Sequence, residues 1–412
     1  MDAREKRGLE IATTKPVKAK GNGLWLVPSQ NGQGAYLVDF QNTACSCPDF
    51  EERGGPCKHL WATQHTMMRQ IQVDLGNGLS VTETQTVTVR RTYRQDWSAY
   101  NAAQCEEKAS VAEFLHALCA GLPEPEKAKG RPRHRLADVI FACAMKVYLG
   151  SSGRRAVSDF KDLAARGFMS KPVSFNSVFD YLDDARLTPV LKALVEESAN
   201  PLKAVETNFA VDASGFSTSV FDRWYDEKYG AHEPGKARRK FVKCHLMTGV
   251  RTHVVTSCEV TDGHANDCPY LPGLVDATAR RGFTMNEVSA DKGYLSNANL
   301  EAIEATGAAA YVPFKLNSQG VTGSETWKRL FHAFSMERGK FLARYHQRSN
   351  VETVFSMIHA RFGKSLRSRH DTAQKNEVLL KVLLHNLACL VMAAHEIGLS
   401  PSFWTDAKGG AA

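Results

Sequence analysis

"NFAVDASGF", residues 208–216, reads as a strand with Phe209 and Val211 on one face and Asp212 on the other. A carboxylate therefore projects from a segment otherwise suited to a core. The same stretch marks a change of periodicity, because helical patterns precede it and strand patterns follow. "KFVKCHLMTGVRTHVVTSCEVT" (240–261) reads as a hairpin turning near Thr248 and Gly249. "NEVSADKGYLSNANLEAIEATGA" (286–308) reads as a short buried strand ending at Asp291, a turn, and a helix capped by Ser296 and stopped by Gly307. "AAYVPF" (309–314) supplies one more strand. Strands first, then alternation with helices, predict an α/β sheet covered by helices, with Asp212 in its first strand and Asp291 at the end of a later one.

Farther along, "RYHQRSNVETVFSMIHARFGKSL" (344–366) sets Glu352 among Arg344, Arg348, Arg361 and Lys364. At 100° per residue, Tyr345, Arg348, Glu352, Ser356 and His359 fall on one stripe of a helix. Val351, Phe355, Ile358 and Phe362 form the adjacent apolar stripe, expected to pack on the sheet and hold Glu352 at its edge near Asp212 and Asp291. Residues 337–375 hold nine Lys or Arg and three acids, a net +6 within a chain of net +8. A cluster of this kind suits a phosphate backbone, or is a solvated basic helix face. Lys236, Arg238, Arg239, Lys240 and Lys243 either line a nucleic-acid path or solvate the hairpin. Asp222, Asp226 and Asp267 are further acids nearby, and Asp267 reads equally as a loop cap or as part of the site.

Upstream, four helical segments open at "LADVIFACAMKVYLG" (136–150), "SDFKDLAARG" (158–167), "SFNSVFDYLDD" (174–184) and "TPVLKALVEES" (188–198), with Ser158, Ser174 and Thr188 as expected N-caps and Pro189 at a first helical position. Residues 131–202 are thus expected to be an all-helical domain, DNA-binding through a helix-turn-helix or a dimerisation bundle. Residues 73–130 read as a polar, Thr-rich connector, a helix ending near Gly121 and a Pro-rich charged linker.

The N-terminal 72 residues carry "CSCPDFEERGGPCKH", in which Cys45, Cys47, Cys57 and His59 read C-x-C-x9-C-x-H. Two such pairs can close a tetrahedron around one structural Zn²⁺, between a strand ("GAYLVDF", 34–40) and a helix ("KHLWATQHTMMRQ", 58–70). The spacing resembles the SWIM zinc finger at every ligand position and implies a small zinc-binding ββα module, whose target, DNA or protein, stays open. His65 reads as a surface helix residue, and the other seven cysteines as core. The chain has 412 residues, 43% hydrophobic and 23% charged, an ordinary soluble composition. Its start lacks a signal-peptide pattern, and the apolar run 378–395 is interrupted by Lys381, His385 and Asn386. A cytoplasmic, nucleoid-associated protein without a membrane partner is expected.

Taken with these motifs, residues from about 203 to 395, within an expected catalytic domain of 203–400, resemble the DDE transposases of bacterial insertion sequences. The family's third-acid motif is Tyr-x2-Arg-x3-Glu-x6-Lys; Tyr345, Arg348 and Glu352 match it, while His359 stands in the lysine's place. "VDASG" around Asp212 and "DKGY" from Asp291 resemble the first two acid motifs. The resemblance implies a ribonuclease H-like core in which Asp212, Asp291 and Glu352 are catalytic and hold two Mg²⁺ (or Mn²⁺). It implies cleavage of phosphodiester bonds at mobile-element ends and joining of the freed 3′-OH to target DNA. Double-stranded DNA is then the partner, held by Tyr345, Arg348, His359, Arg361 and Lys364, with a homodimer or larger assembly on it. The chemistry suits these residue types, since hard divalent ions want oxygen ligands and neutralise the transferring phosphate. An exonuclease of the same core would need a carboxylate where Ser214 stands. A catalytically inactive transposase-derived regulator would have no use for three acids beside phosphates.

Overall fold

The computed structural model describes residues 3–30, 34–53, 55–74, 96–124, 133–218 and 241–404. They fall into two compact units, Met1–Trp97 and Ser98–Ala412.

The first unit begins with α1 (Ala3–Thr14), followed by β1 (Lys18–Gly21), β2 (Leu24–Pro28), β3 (Ala35–Asp39) and β4 (Ala44–Cys45), then α2 (Pro48–Arg53) and α3 (Lys58–Asp74). The four strands pair antiparallel in chain order. Alternation in β2 buries Trp25 and Val27, which join Val38, Ile11 and Leu60 in a small core. This is larger than the expected ββα module. α1 escaped the sequence reading because only Gly8 and Ile11 are buried along it. Gly8 lets α1 approach α3: a Cβ there would lie 2.4 Å from Cβ of Trp61 and 2.8 Å from the Lys58 carbonyl oxygen. Most of the expected connector, residues 75–95 and 125–132, lies outside the described residues.

The second unit runs α4 (Trp97–Ala120), α5 (Leu136–Leu149), α6 (Gly153–Ala165), α7 (Phe175–Leu182), α8 (Leu187–Ala199), β5 (Asn208–Ser217), β6 (Phe241–Gly249), β7 (Val255–Asp262), α9 (Leu271–Arg280), β8 (Glu287–Ala290), α10 (Asn297–Glu304), β9 (Ala309–Tyr311), α11 (Glu325–Met336), α12 (Arg338–Tyr345), α13 (Ser349–Phe362) and α14 (Asp371–Ile397). Its sheet has the order β7-β6-β5-β8-β9, antiparallel from β7 to β5 and parallel from β5 to β9. β5 is central, and β6 is buried along its whole length although it carries Lys243, His245 and Thr248.

One hydrophobic core extends from Ala103 on α4 through α5–α8 and the sheet to Ala393 on α14. The helices of 131–202 therefore do not form a core of their own. α14 ties them to the sheet: Asn386 accepts from the Val255 amide and donates to the Val195 and Val255 carbonyls and to Ser198 Oγ. α14 is long and apolar enough to cross a membrane, but 83% of its apolar window is buried inside the protein. Two expected helix starts move. Ser174 caps α7, but α6 is capped by Ser152, and Ser158 lies inside it. Thr188 is also inside its helix, where its hydroxyl bonds Asn376 Oδ1 at 2.8 Å. Of the seven cysteines read as core, Cys105 is exposed and Cys268 half-buried, its Sγ 3.8 Å from the Tyr294 carbonyl oxygen.

Candidate active site and zinc centre

In the first unit, β4 ends at Cys45, Cys47 precedes α2, and Cys57 and His59 lie at the start of α3. The four side chains are buried, and their ligand atoms all lie within 4.8 Å of one another. His59 Nδ1 is 3.8 Å from Cys45 Sγ and 3.9 Å from Cys57 Sγ. A tetrahedral Zn²⁺ with bonds of ~2.1 Å to nitrogen and ~2.3 Å to sulfur sets S···N edges of about 3.6 Å, so these side chains fit the ion. Hydrogen bonds with Cys47 and Cys57 push the Cys45 thiol far up. The finger's tip is built from short-range spacing alone, and all four predicted ligands meet.

In the second unit, β5 pairs with β6 at Asp212↔Leu246 and with β8 up to Val211↔Ala290. One position past that last rung, Asp212 and Asp291 stand at neighbouring strand positions, in a sheet whose strands lie about 4.8 Å apart. Asp212 Oδ1 accepts from the Ala213 amide at 2.8 Å, and Asp291 Oδ1 from the Lys292 amide at 2.8 Å, so both carboxylates are oriented by their own backbone. Glu352 comes from the first turn of α13, which is fastened to the unit by buried Val351, Val354, Phe355 and Ile358.

Arg348 joins the two segments. Its Nη1 lies 2.5 Å from Asp212 Oδ2 and its Nη2 2.6 Å from Glu352 Oε1, so one guanidinium spans both carboxylates. Tyr345 lies beside it, with the guanidinium carbon 6.0 Å from the ring centre. Burial lifts Asp212 to about 6; Arg348 and the Ala213 amide oppose that lift, while Asp291 and Glu352 add to it. Asp212 and Glu352 thus share a single cationic side chain while Asp291 adds its charge to Asp212, the electrostatic setting that oxygen-seeking divalent cations would relieve.

The single-helix expectation for 344–366 does not hold. The chain breaks between α12 and α13 through a 3₁₀ turn, His346–Arg348, so Tyr345 is not on the helix that carries Glu352. His359 is turned toward the core. Its ring stands edge-on to Phe216 at 5.0 Å, Nε2 is buried without a hydrogen bond, and burial holds it down at about 4, with Lys364 and Lys381 adding to the effect. Position 359 follows Phe355 by one turn and precedes Phe362 by another, which places it on the border of the apolar stripe. Arg361 donates to Glu107 Oε2 at 2.7 Å, a partner 254 positions away that no local pattern could announce. Lys364 is exposed beyond the end of α13, where Gly363 takes φ 79°. Lys243 is buried, and its ammonium pairs with Asp267 and donates to the Ala265 carbonyl, so it belongs to the interior rather than to a solvated hairpin. That pairing also gives Asp267 a place, 3.6 Å from His245 Nδ1 on β6. Asp222, Asp226, Lys236, Arg238, Arg239 and Lys240 lie outside the described residues.

Residues 203–387, which contain both strand acids and Glu352, match the family model described as "Transposase DDE domain". That stretch is similar to a transposase domain. Residues 36–63, which hold the four zinc ligands, match the SWIM zinc finger. The transposase match begins just before β5 and ends within α14, so α4–α8 share its core but lie outside it. One solved structure is similar, the cryo-EM structure of a piggyBac transposase synaptic complex with hairpin DNA: 12% identity, 75% of this chain and 77% of that chain covered, TM-score 0.33. No curated protein matches the chain.

Proposed function

We propose that this protein is a DNA transposase that cuts phosphodiester bonds at the ends of a mobile element and joins the freed 3′-OH to target DNA at Asp212, Asp291 and Glu352. The observation that carries this reading is the Arg348 guanidinium bridging Asp212 on β5 and Glu352 on α13, with Asp291 following β8 at the position beside Asp212. A ribonuclease H-like core is part of the proposal, supported by a sheet of three antiparallel strands continued by two parallel ones, with the first strand at the centre.

Asp212, Asp291 and Glu352 would hold two Mg²⁺ or Mn²⁺; when bound, such ions activate an oxygen nucleophile and neutralise the transferring phosphate. The chain's own residues prepare that site. The Ala213 and Lys292 amides fix one oxygen of each aspartate, and the second oxygen of Asp212 is held by Arg348. Arg348 presents a planar fork that matches phosphate oxygens as well as it matches the two carboxylates it now spans, so a scissile-strand phosphate competes for it. Tyr345 offers an aromatic face beside that fork, and exposed Lys364 extends the cationic surface. His359, packed against Phe216, is left out of the DNA contacts. An element has two ends, so the protein acts as a homodimer or larger assembly on DNA, at the nucleoid of the cytoplasm. The inactive-regulator reading is disfavoured by three intact acids, whose charge hinders binding to phosphate unless it serves catalysis.

The test is cleavage of labelled duplexes carrying the flanks of the protein's own gene, with Mg²⁺ or Mn²⁺. Asp212→Asn, Asp291→Asn and Glu352→Gln should each abolish cutting and strand transfer while DNA binding persists. A variant that transfers strands at near wild-type rate removes its residue from the site, and failure of all three to reduce cutting overturns the reading.

A further inference from the structure

Where the C-terminal ends of α5 and α13 meet α14, the second unit encloses a cavity of about 220 Å³ whose lining includes Lys146, Arg361, Arg367, Lys381 and Glu377. Four cations around one space is an expensive arrangement unless something balances them. Glu377 balances one: its carboxylate lies 3.8 Å from the Lys381 ammonium, though its oxygens are also engaged by the Arg367 and Ser368 amides. Glu107 balances Arg361 through Nη2. Two positive charges remain over.

The bland reading is that these cations neutralise the carbonyl ends of the two helices. It holds for Lys381, which is 1% exposed and donates to the Gly363 and Ser365 carbonyls at 3.0 and 2.9 Å. For Lys146, in the last turn of α5, it is incomplete. That side chain is 6% exposed, yet its ammonium makes no hydrogen bond or ion pair among the described residues and only stands 6.0 Å from the Phe179 ring centre. Arg361 Nη1 is likewise buried without a partner. Burial presses Lys381 down to about 8 against the pull of Glu377, with the neighbouring Arg367 and Lys146 charges adding to the effect.

We infer that this cavity is a phosphate-binding site, built around Lys146, Arg361 and Arg367, that takes a backbone phosphate of the DNA on which the transposase domain acts. The inference rests on the transposase reading. Arg361 lies nine positions after Glu352 on α13, about 14 Å along a helix, so the site would hold the strand away from the cutting point and fix its register. Arg361 would then contact DNA through its unpaired Nη1 while Glu107 holds its other nitrogen.

The experiment measures binding of a random-sequence duplex by the full chain across a salt series. Each phosphate contact contributes about one to the slope of log K against log salt. Lys146→Met keeps the side-chain volume without the charge, and Arg367→Gln changes an exposed position that folding tolerates; each should flatten the slope by about one. Unchanged slopes in both variants, with circular dichroism as for wild type, overturn the inference. A second arm adds inorganic phosphate to a thermal melt. If phosphate stabilises wild type but not Lys146→Met while the slopes stay unchanged, the site takes a small phosphate-bearing molecule and the DNA assignment is overturned. The active-site reading fails separately, on cutting by the Asp212→Asn, Asp291→Asn and Glu352→Gln variants.

Discussion

Replacing Arg348 by Gln should destabilise the second unit chiefly through one of its two carboxylate partners. Glu352 is 58% exposed, and an exposed i,i+4 pair contributes at most about 0.5 kcal/mol. Asp212 and Arg348 are 22% and 20% exposed and 2.5 Å apart, and a charge-assisted bond at that depth contributes roughly 2–3 kcal/mol. Arg348→Gln should therefore cost about 2–3 kcal/mol, and Glu352→Gln under about 0.5 kcal/mol. Asp212→Asn should cost less than Arg348→Gln, because it also relieves the burial that lifts the Asp212 pKa to about 6. The Arg348→Gln/Asp212→Asn double variant should lose roughly 2 kcal/mol less than the sum of its singles, since both remove the same bond. Urea unfolding of the full chain at neutral pH in excess EDTA, followed by tryptophan fluorescence, reads these losses from the midpoint and slope. EDTA keeps divalent cations from substituting for the guanidinium. Losses that add to within about 0.5 kcal/mol would refute the coupling, and a Glu352→Gln loss equal to that of Arg348→Gln would refute its division between the carboxylates.

Two further outcomes are expected. Protein purified without chelator should carry one Zn²⁺ per chain, and Cys57→Ser should lose it and loosen the first unit while the second unfolds as in wild type; metal analysis finding no zinc in the wild type would refute the centre. His359 is held at about 4 against about 6.5 in an unfolded chain, so between those values the unfolded state binds more protons and stability rises with pH. His359→Gln should remove up to about 3 kcal/mol of that rise, and an acid-side stability profile identical to wild type would show that burial does not set this group's titration.

Short-range chemistry was legible in the sequence by itself. Cys45, Cys47, Cys57 and His59 meet because two-residue spacings fix how far apart the ligands of each pair can lie. Asp212 was marked by strand alternation, and Asp291 by a strand running into a turn, since a side-chain period of two and a turn signal are both local. Contacts between distant elements were decided only by the fold. α1 is a polar helix whose one apolar turn acquires a purpose when Gly8 admits α3. The helix drawn through 344–366 breaks at His346–Arg348, which lets Arg348 reach Asp212 on a strand 136 positions earlier as well as Glu352 one turn ahead. His359 sits on the border between two stripes, and helical periodicity cannot choose a side there; Phe216 of β5 chose the inner one. Lys381 read only as an interruption of an apolar run until three helices brought it and Lys146 to one cavity. A pattern along the chain reports which face a residue occupies, whereas the charge it meets there depends on segments that loop closure brings in from hundreds of residues away.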